Sequence, residues 1–83
     1  MEVLLLSEEN CAYCEQAKET LDRLAPEYGL AVSTIELRSP EGQDLAVWGG
    51  VMFPPGIFID GRAFSYGRLS ERKFRREVER RLG

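Results

Sequence analysis

Cys11 and Cys14, separated by Ala12 and Tyr13, are the two cysteines of the 83-residue chain, and no histidine accompanies them. They follow an apolar run, Val3-Leu4-Leu5-Leu6, and open a helical pattern from Glu15 to Ala25. That context predicts Cys11 at the N-terminus of a helix. Free N–H groups and the positive end of the helix dipole there stabilise a thiolate, the nucleophilic form of sulfur. The second sulfur lies one helical turn on, within reach of a disulfide. A loop so short gains little chain-entropy stabilisation from being closed, because that term grows with loop length. The pair is suited to opening and closing rather than to stapling a fold.

Few other groups offer competing chemistry. Zinc takes four ligands, and a single CxxC without histidine supplies two. Two cysteines also argue against a disulfide-stapled secreted scaffold. The start of the chain has no basic segment before its short apolar run, so neither a signal peptide nor a membrane span is expected, and the cytoplasm is the expected compartment. Net charge is −3, which gives no overall attraction to nucleic acid. The charge is uneven, with seven acids and two bases in residues 1–30 and six bases and three acids in residues 70–83. Phe74, Val78 and Leu82 recur every four residues and mark a buried stripe, so the arginines around them form a solvated face. Glu77 and Arg81 are spaced to pair at i,i+4.

The elements that position the cysteines follow from pattern. Val3–Leu6 is apolar on both faces and reads as a buried strand. Cys14, Ala17, Leu21 and Leu24 share one face of the first helix, which Pro26 and Gly29 end. Leu30–Leu37 reads as a second strand. Ser39 and Pro40 cap and start a short helix running to Trp48 and ended by Gly49-Gly50. Gly56–Ile59 is a third strand, Asp60-Gly61 a hairpin turn, and Arg62–Tyr66 the returning strand. Ser70 caps the last helix. The expected architecture is a single α/β domain over residues 1–83, a four-stranded mixed sheet flanked by three helices in the order β-α-β-α-β-β-α.

That order and these motifs resemble the thioredoxin-like superfamily over essentially the whole chain, with glutaredoxins nearest in size. Cys11-Ala12-Tyr13-Cys14 resembles the glutaredoxin C-P-Y-C, with alanine for proline. Pro55-Gly56-Ile57-Phe58-Ile59-Asp60-Gly61 resembles the glutaredoxin run P-x-I-F-I-D-G. Gly67-Arg68-Leu69-Ser70 resembles instead the thioredoxin G-x-L-S entry to the last helix. The resemblance implies that Pro55 follows a cis bond from Pro54 and faces the cysteines with a carbonyl or an N–H-free backbone edge. It implies thiol–disulfide exchange with no cofactor and no metal. Cys11 would attack a substrate disulfide as thiolate, and Cys14 would resolve the mixed disulfide. Tyr13, Phe53, Pro54 and Tyr66 would line the substrate site, a core role for Phe53 being the alternative. Trp48 reads as packing, and with no histidine present, water or a carboxylate such as Glu36 would carry protons.

The departures from the family pattern bear on partners. Glu8 and Glu9 stand where glutaredoxins carry a lysine before the first cysteine. Ser65-Tyr66 stands where a Gly-Gly pair grips glutathione. The buried aspartate of thioredoxins falls near Leu5. The carboxylates disfavour a Cys11 thiolate and oppose anionic glutathione. The expected partners are disulfide-containing proteins, with a thioredoxin reductase or another dithiol donor ahead of glutathione, and a monomer is expected. Two other readings stay open. One is an iron–sulfur or metal-binding glutaredoxin-like module bridging two subunits, which the loss of the motif proline at Ala12 suggests. The other is a non-catalytic adaptor on the same fold.

Overall fold

Val3, Leu5 and Leu6 are fully buried, because the strand that carries them lies inside the sheet with cover on both faces. The computed structural model describes residues Met1–Gly83. Its elements are β1 (Glu2–Ser7), α1 (Ala12–Tyr28), β2 (Ala31–Glu36), α2 (Pro40–Gly49), β3 (Gly56–Ile59), β4 (Arg62–Tyr66) and α3 (Glu71–Leu82). The strands lie in the order β2-β1-β3-β4. β1 runs parallel to β2 and antiparallel to β3, and β3 runs antiparallel to β4, so the sheet is mixed. The element order and the four-stranded mixed sheet with three helices agree with the sequence reading.

The main core joins one face of the sheet to α1 and α3. Val3, Leu5, Ile57 and Ile59 meet Ala17, Leu21 and Leu24 of α1 and Phe74 and Val78 of α3. Burying each of the larger side chains stabilises by about 1.5–3 kcal/mol. α2 lies on the opposite face. Gly49 there crosses directly above the Phe58 ring, where an added Cβ would come within 2.6 Å of a ring carbon.

Three boundaries are set by local chemistry. Ser39 and Ser70 accept hydrogen bonds from the N–H groups of Gly42 and Lys73, capping α2 and α3. Asp60 and Gly61 take φ values of 47° and 81°, the left-handed pair that a tight hairpin turn requires.

Two expectations are corrected. Pro26 does not end α1; it lies inside the helix, which continues to Tyr28. Proline removes one backbone donor. The last turn is held nevertheless by the Gly29 and Leu30 N–H groups, both donating to the Ala25 carbonyl. It is also tied to α3, because Glu27 pairs with Arg75 and the Tyr28 hydroxyl donates to Glu79. Leu82 does not continue the buried stripe and is 57% exposed. It sits a turn beyond Val78, past the contact of Glu79 with the last residue of α1.

Three of the five arginines of α3, Arg75, Arg80 and Arg81, are in ion pairs. Arg23 of α1 bonds Glu71 at 2.6 Å, and Arg75 bonds both Glu71 at 3.0 Å and Glu27 at 2.6 Å. Arg75 also lies over the Tyr28 ring, 5.8 Å from its centre. Arg81 pairs with Glu77 at 2.7 Å as its spacing suggested, and Arg80 joins at 2.6 Å. Hydrogen bonds from Arg23 and then Arg75 hold the Glu71 carboxyl down to about 2, from an ordinary 4.5. Arg80 and Arg81 do the same for Glu77. A carboxyl depressed by folding stabilises above its unfolded value, and that contribution is lost as pH falls through the folded value. The thermal midpoint should therefore decline between pH 4.5 and about 2. Melting curves across this range, repeated with Glu71→Gln, check it: the variant should show a shallower decline.

Candidate active site

Cys11 is placed by the residue before it. Asn10 adopts φ 55°, a left-handed conformation that asparagine tolerates better than most residues. The chain then turns, so that Cys11 is extended and occupies the N-cap of α1. Its Sγ accepts the Cys14 N–H at 3.1 Å, and its carbonyl accepts the Glu15 N–H at 3.1 Å. The two cysteines form a disulfide with their Cα atoms 5.2 Å apart. Cys11 is half-buried, whereas Cys14 is 2% exposed on the face of α1 that enters the core.

The sheet register brings the other site candidates to the same end of the molecule. Leu6, near the exit of β1, pairs with Gly56, and Gly56 pairs with Tyr66. Pro54-Pro55 enters β3, and Tyr66 leaves β4, at the end where β1 leads to Cys11. The Pro54–Pro55 bond is cis, as the resemblance implied. Pro55 is buried, and its carbonyl accepts the Gly67 N–H at 2.8 Å. That carbonyl is engaged within the protein.

Phe53 is at the surface and not in the core. It is 57% exposed, and its ring meets Tyr66 edge-on at 5.1 Å. The ring rests on Gly67, where a Cβ would come within 2.7 Å of it. Gly67 also takes φ 78°, so both its conformation and its bare Cα are used. Tyr13, on the first turn of α1, is exposed. Trp48 stacks on Phe58 with centroids 6.1 Å apart, but most of its surface is open.

Acids flank the cysteines in sequence, and the exposed Arg68, which makes no ion pair, follows Gly67 at the same end of the sheet. Glu8 has a loose partner in Arg38 at 3.4 Å, while Glu9 and Glu15 have no ion pair. Glu36 is exposed and makes no side-chain hydrogen bond to either cysteine. No charged residue is buried, and Leu5 fills its position with core. Cys14 therefore has no buried carboxylate beside it. No group of three or more acidic, histidine or cysteine side chains gathers in a metal-ligating arrangement. The Ser65 hydroxyl is buried without a hydrogen-bond partner, where the resemblance would place a glycine. No helix is long and apolar enough to cross a membrane.

The model of the thioredoxin domain family matches residues 1–79. The chain belongs to the thioredoxin domain family. Among solved structures, thioredoxin 1 from the thermophilic eubacterium Thermosipho africanus TCF52B superposes with a TM-score of 0.75 at 16% identity, over 99% of this chain and 94% of that one. A mutant thioredoxin from Halobacterium salinarum NRC-1 gives 0.71 at 24% identity, over 95% and 72%. The holo form of glutaredoxin C1 from Populus tremula x tremuloides gives 0.60 at 26% identity, over 96% and 74%. No curated protein matches the chain. The fold and the cysteine pair together support a redox function in general.

Sequence reasoning did not find the seat that Gly67 makes for Phe53, nor the openness of Met52 and Val47. For the first, the thioredoxin-like glycine before Arg68 was a usable signal. For the second there was none, since apolar residues near a helix end carry no mark of which way they face.

Proposed function

We propose that the chain is a thiol–disulfide oxidoreductase acting through Cys11 and Cys14. The observation that carries this reading is the asymmetry of the pair. Cys11 is the accessible sulfur at a helix N-cap, and Cys14 is buried one turn away. In the reduced protein the Cys11 thiolate forms a bond to one sulfur of a substrate disulfide. The other substrate sulfur leaves with the electron pair of the broken bond and takes up a proton. Cys14, deprotonated, then attacks Cys11, closes the disulfide and releases the second substrate thiolate. Two electrons pass from the pair to the substrate; run backwards, the same steps oxidise a dithiol. Pro55 keeps a backbone N–H away from the sulfurs. Tyr13, Phe53, Pro54 and Tyr66 contact the substrate chain.

The electron source follows from charge. Glutathione carries two carboxylates, and like charges some 6 Å apart near a surface disfavour each other by about 1–3 kcal/mol. Glu8, Glu9 and Glu15 offer it no counter-ion, so a thioredoxin reductase or another protein dithiol is the better donor. Insulin-disulfide reduction with two donors in parallel, glutathione with its reductase and a thioredoxin reductase, tests this. The second should support turnover and the first only weakly. Glu8→Lys with Glu9→Lys should raise the glutathione-dependent rate about tenfold, the change expected from about 1.4 kcal/mol. Efficient glutathione turnover by the unmodified chain, with no response to thioredoxin reductase, would refute the charge argument.

A further inference from the structure

We propose that an apolar strip leading from the cysteine end of the sheet onto α2 docks a protein partner that is apolar at its centre and cationic at its rim. The proposal rests on the redox reading above and specifies the chemistry of the protein that exchanges electrons with the pair.

Of the seven large exposed hydrophobic residues, six are Tyr13, Val47, Trp48, Met52, Phe53 and Tyr66. Several are joined by contacts. Phe53 meets Tyr66 ring to ring. Tyr66 shares a shallow groove with Gly49, the neighbour of Trp48. Val47 and Met52 line a second groove with Leu37, Ala46 and Val51. The exposure has a local cause. α2 buries only Gly42, and Gly49 lets its backbone lie close over Phe58. Gly50 then turns the chain through a left-handed cap. The helix meets the sheet through Gly49, the half-buried Leu45 and one face of Trp48, and Val47 is left outward. Val47 is 83% and Met52 76% exposed. Phe53 with Tyr66 and Val47 with Met52 form two exposed apolar patches, and exposed apolar surface of this kind marks an interaction site.

Charge selects the occupant. Residues 1–50 hold ten acids and three bases, and residues 51–83 hold eight bases and four acids. Glu8, Glu9 and Glu15 lie at the cysteine end of the strip, and Glu41 and Asp44 lie on α2. Of these five, only Glu8 has a cation partner, while one exposed cation without an ion pair, Arg68, follows the Gly67 that seats Phe53. The arginines in ion pairs on α3 are held by Glu27, Glu71 and Glu77, on the helix pair behind the sheet. A second copy of the chain would set these acids against themselves, because a two-fold interface repeats one patch on both sides. A partner with lysines or arginines around an apolar centre meets no such repulsion and is drawn in.

The test uses the full chain in its reduced form and three probes. Two are synthetic disulfide peptides with the same leucine and phenylalanine centre, one flanked by lysines and one by glutamates. The third is bis(2-hydroxyethyl) disulfide, small and uncharged. At low ionic strength the lysine peptide should react about tenfold faster than the glutamate peptide, and 0.5 M salt should largely erase the gap. Met52→Gln and Val47→Asn, which remove apolar surface without adding charge, should slow the lysine peptide at least fivefold more than they slow the small disulfide. Equal rates for the two peptides, a preference for glutamate, or equal losses on peptide and small disulfide would overturn the proposal. So would a concentration-dependent dimer, seen by sedimentation and broken by the same variants, since that would assign the strip to a second copy. Absence of exchange even with bis(2-hydroxyethyl) disulfide would overturn the redox reading itself, and the docking proposal with it.

Discussion

Cys11→Ser should lower disulfide exchange by more than about 1000-fold, because it removes the proposed nucleophile and leaves only Cys14, which is buried. Cys14→Ser should behave differently. The first bond still forms, but no sulfur is left to break it, so a mixed disulfide between Cys11 and the substrate accumulates. Intact mass on a non-reducing preparation distinguishes the two variants. The geometry supplies the asymmetry. Cys11 is half-buried at the mouth of α1, and Cys14 is 2% exposed beneath it. A thiol-directed alkylating reagent should therefore modify Cys11 first in the reduced protein. Faster labelling of Cys14, or a trapped adduct with Cys11→Ser in place of Cys14→Ser, would reverse the assigned roles.

Phe74→Ala should come close to unfolding the domain. Phe74 is fully buried, joins α3 to the sheet-face core and meets Phe64 edge-on at 5.9 Å. Truncating a core phenylalanine destabilises by about 3–5 kcal/mol, through lost burial and the cavity left behind. A domain of this length has a total stability of about 4–12 kcal/mol at roughly 0.05–0.15 kcal/mol per residue. Leu82→Ala, one helical repeat beyond Val78, should change stability by less than about 0.5 kcal/mol. Urea unfolding of both variants checks the pair. A large loss for Leu82→Ala would mean that the buried stripe of α3 extends further than the structure allows.

The same two residues show where sequence reading reached and where it stopped. Period and punctuation located every element, because each is a local statement. Apolar alternation, serine caps, the Asp-Gly turn and paired glycines act within a few residues of themselves. The CxxC at a strand-to-helix junction likewise carried its own chemistry. Where an element stops against its neighbours is a different matter. Leu82 continues the period of Phe74 and Val78, yet α3 passes the end of α1 before reaching it. Pro26 has the local character of a helix stop, yet Glu27 and Tyr28 hold the next turn through α3.

The site divides along the same line. The residue types at 11, 14 and 55 and the acids at 8, 9 and 15 stand in the chain itself, so the sequence by itself determined the kind of chemistry and the sign of the charge beside it. It could not determine what the aromatic and apolar residues would face. Phe53 could have been core, and only its seat on Gly67 and its contact with Tyr66 bring it to the surface. Trp48 reads as packing, and it does stack on Phe58, yet only the tertiary structure shows that most of its surface stays open, as does that of Val47 and Met52. Hydrophobicity is a property of a side chain, but burial depends on which surfaces meet, and that was decided by the tertiary structure.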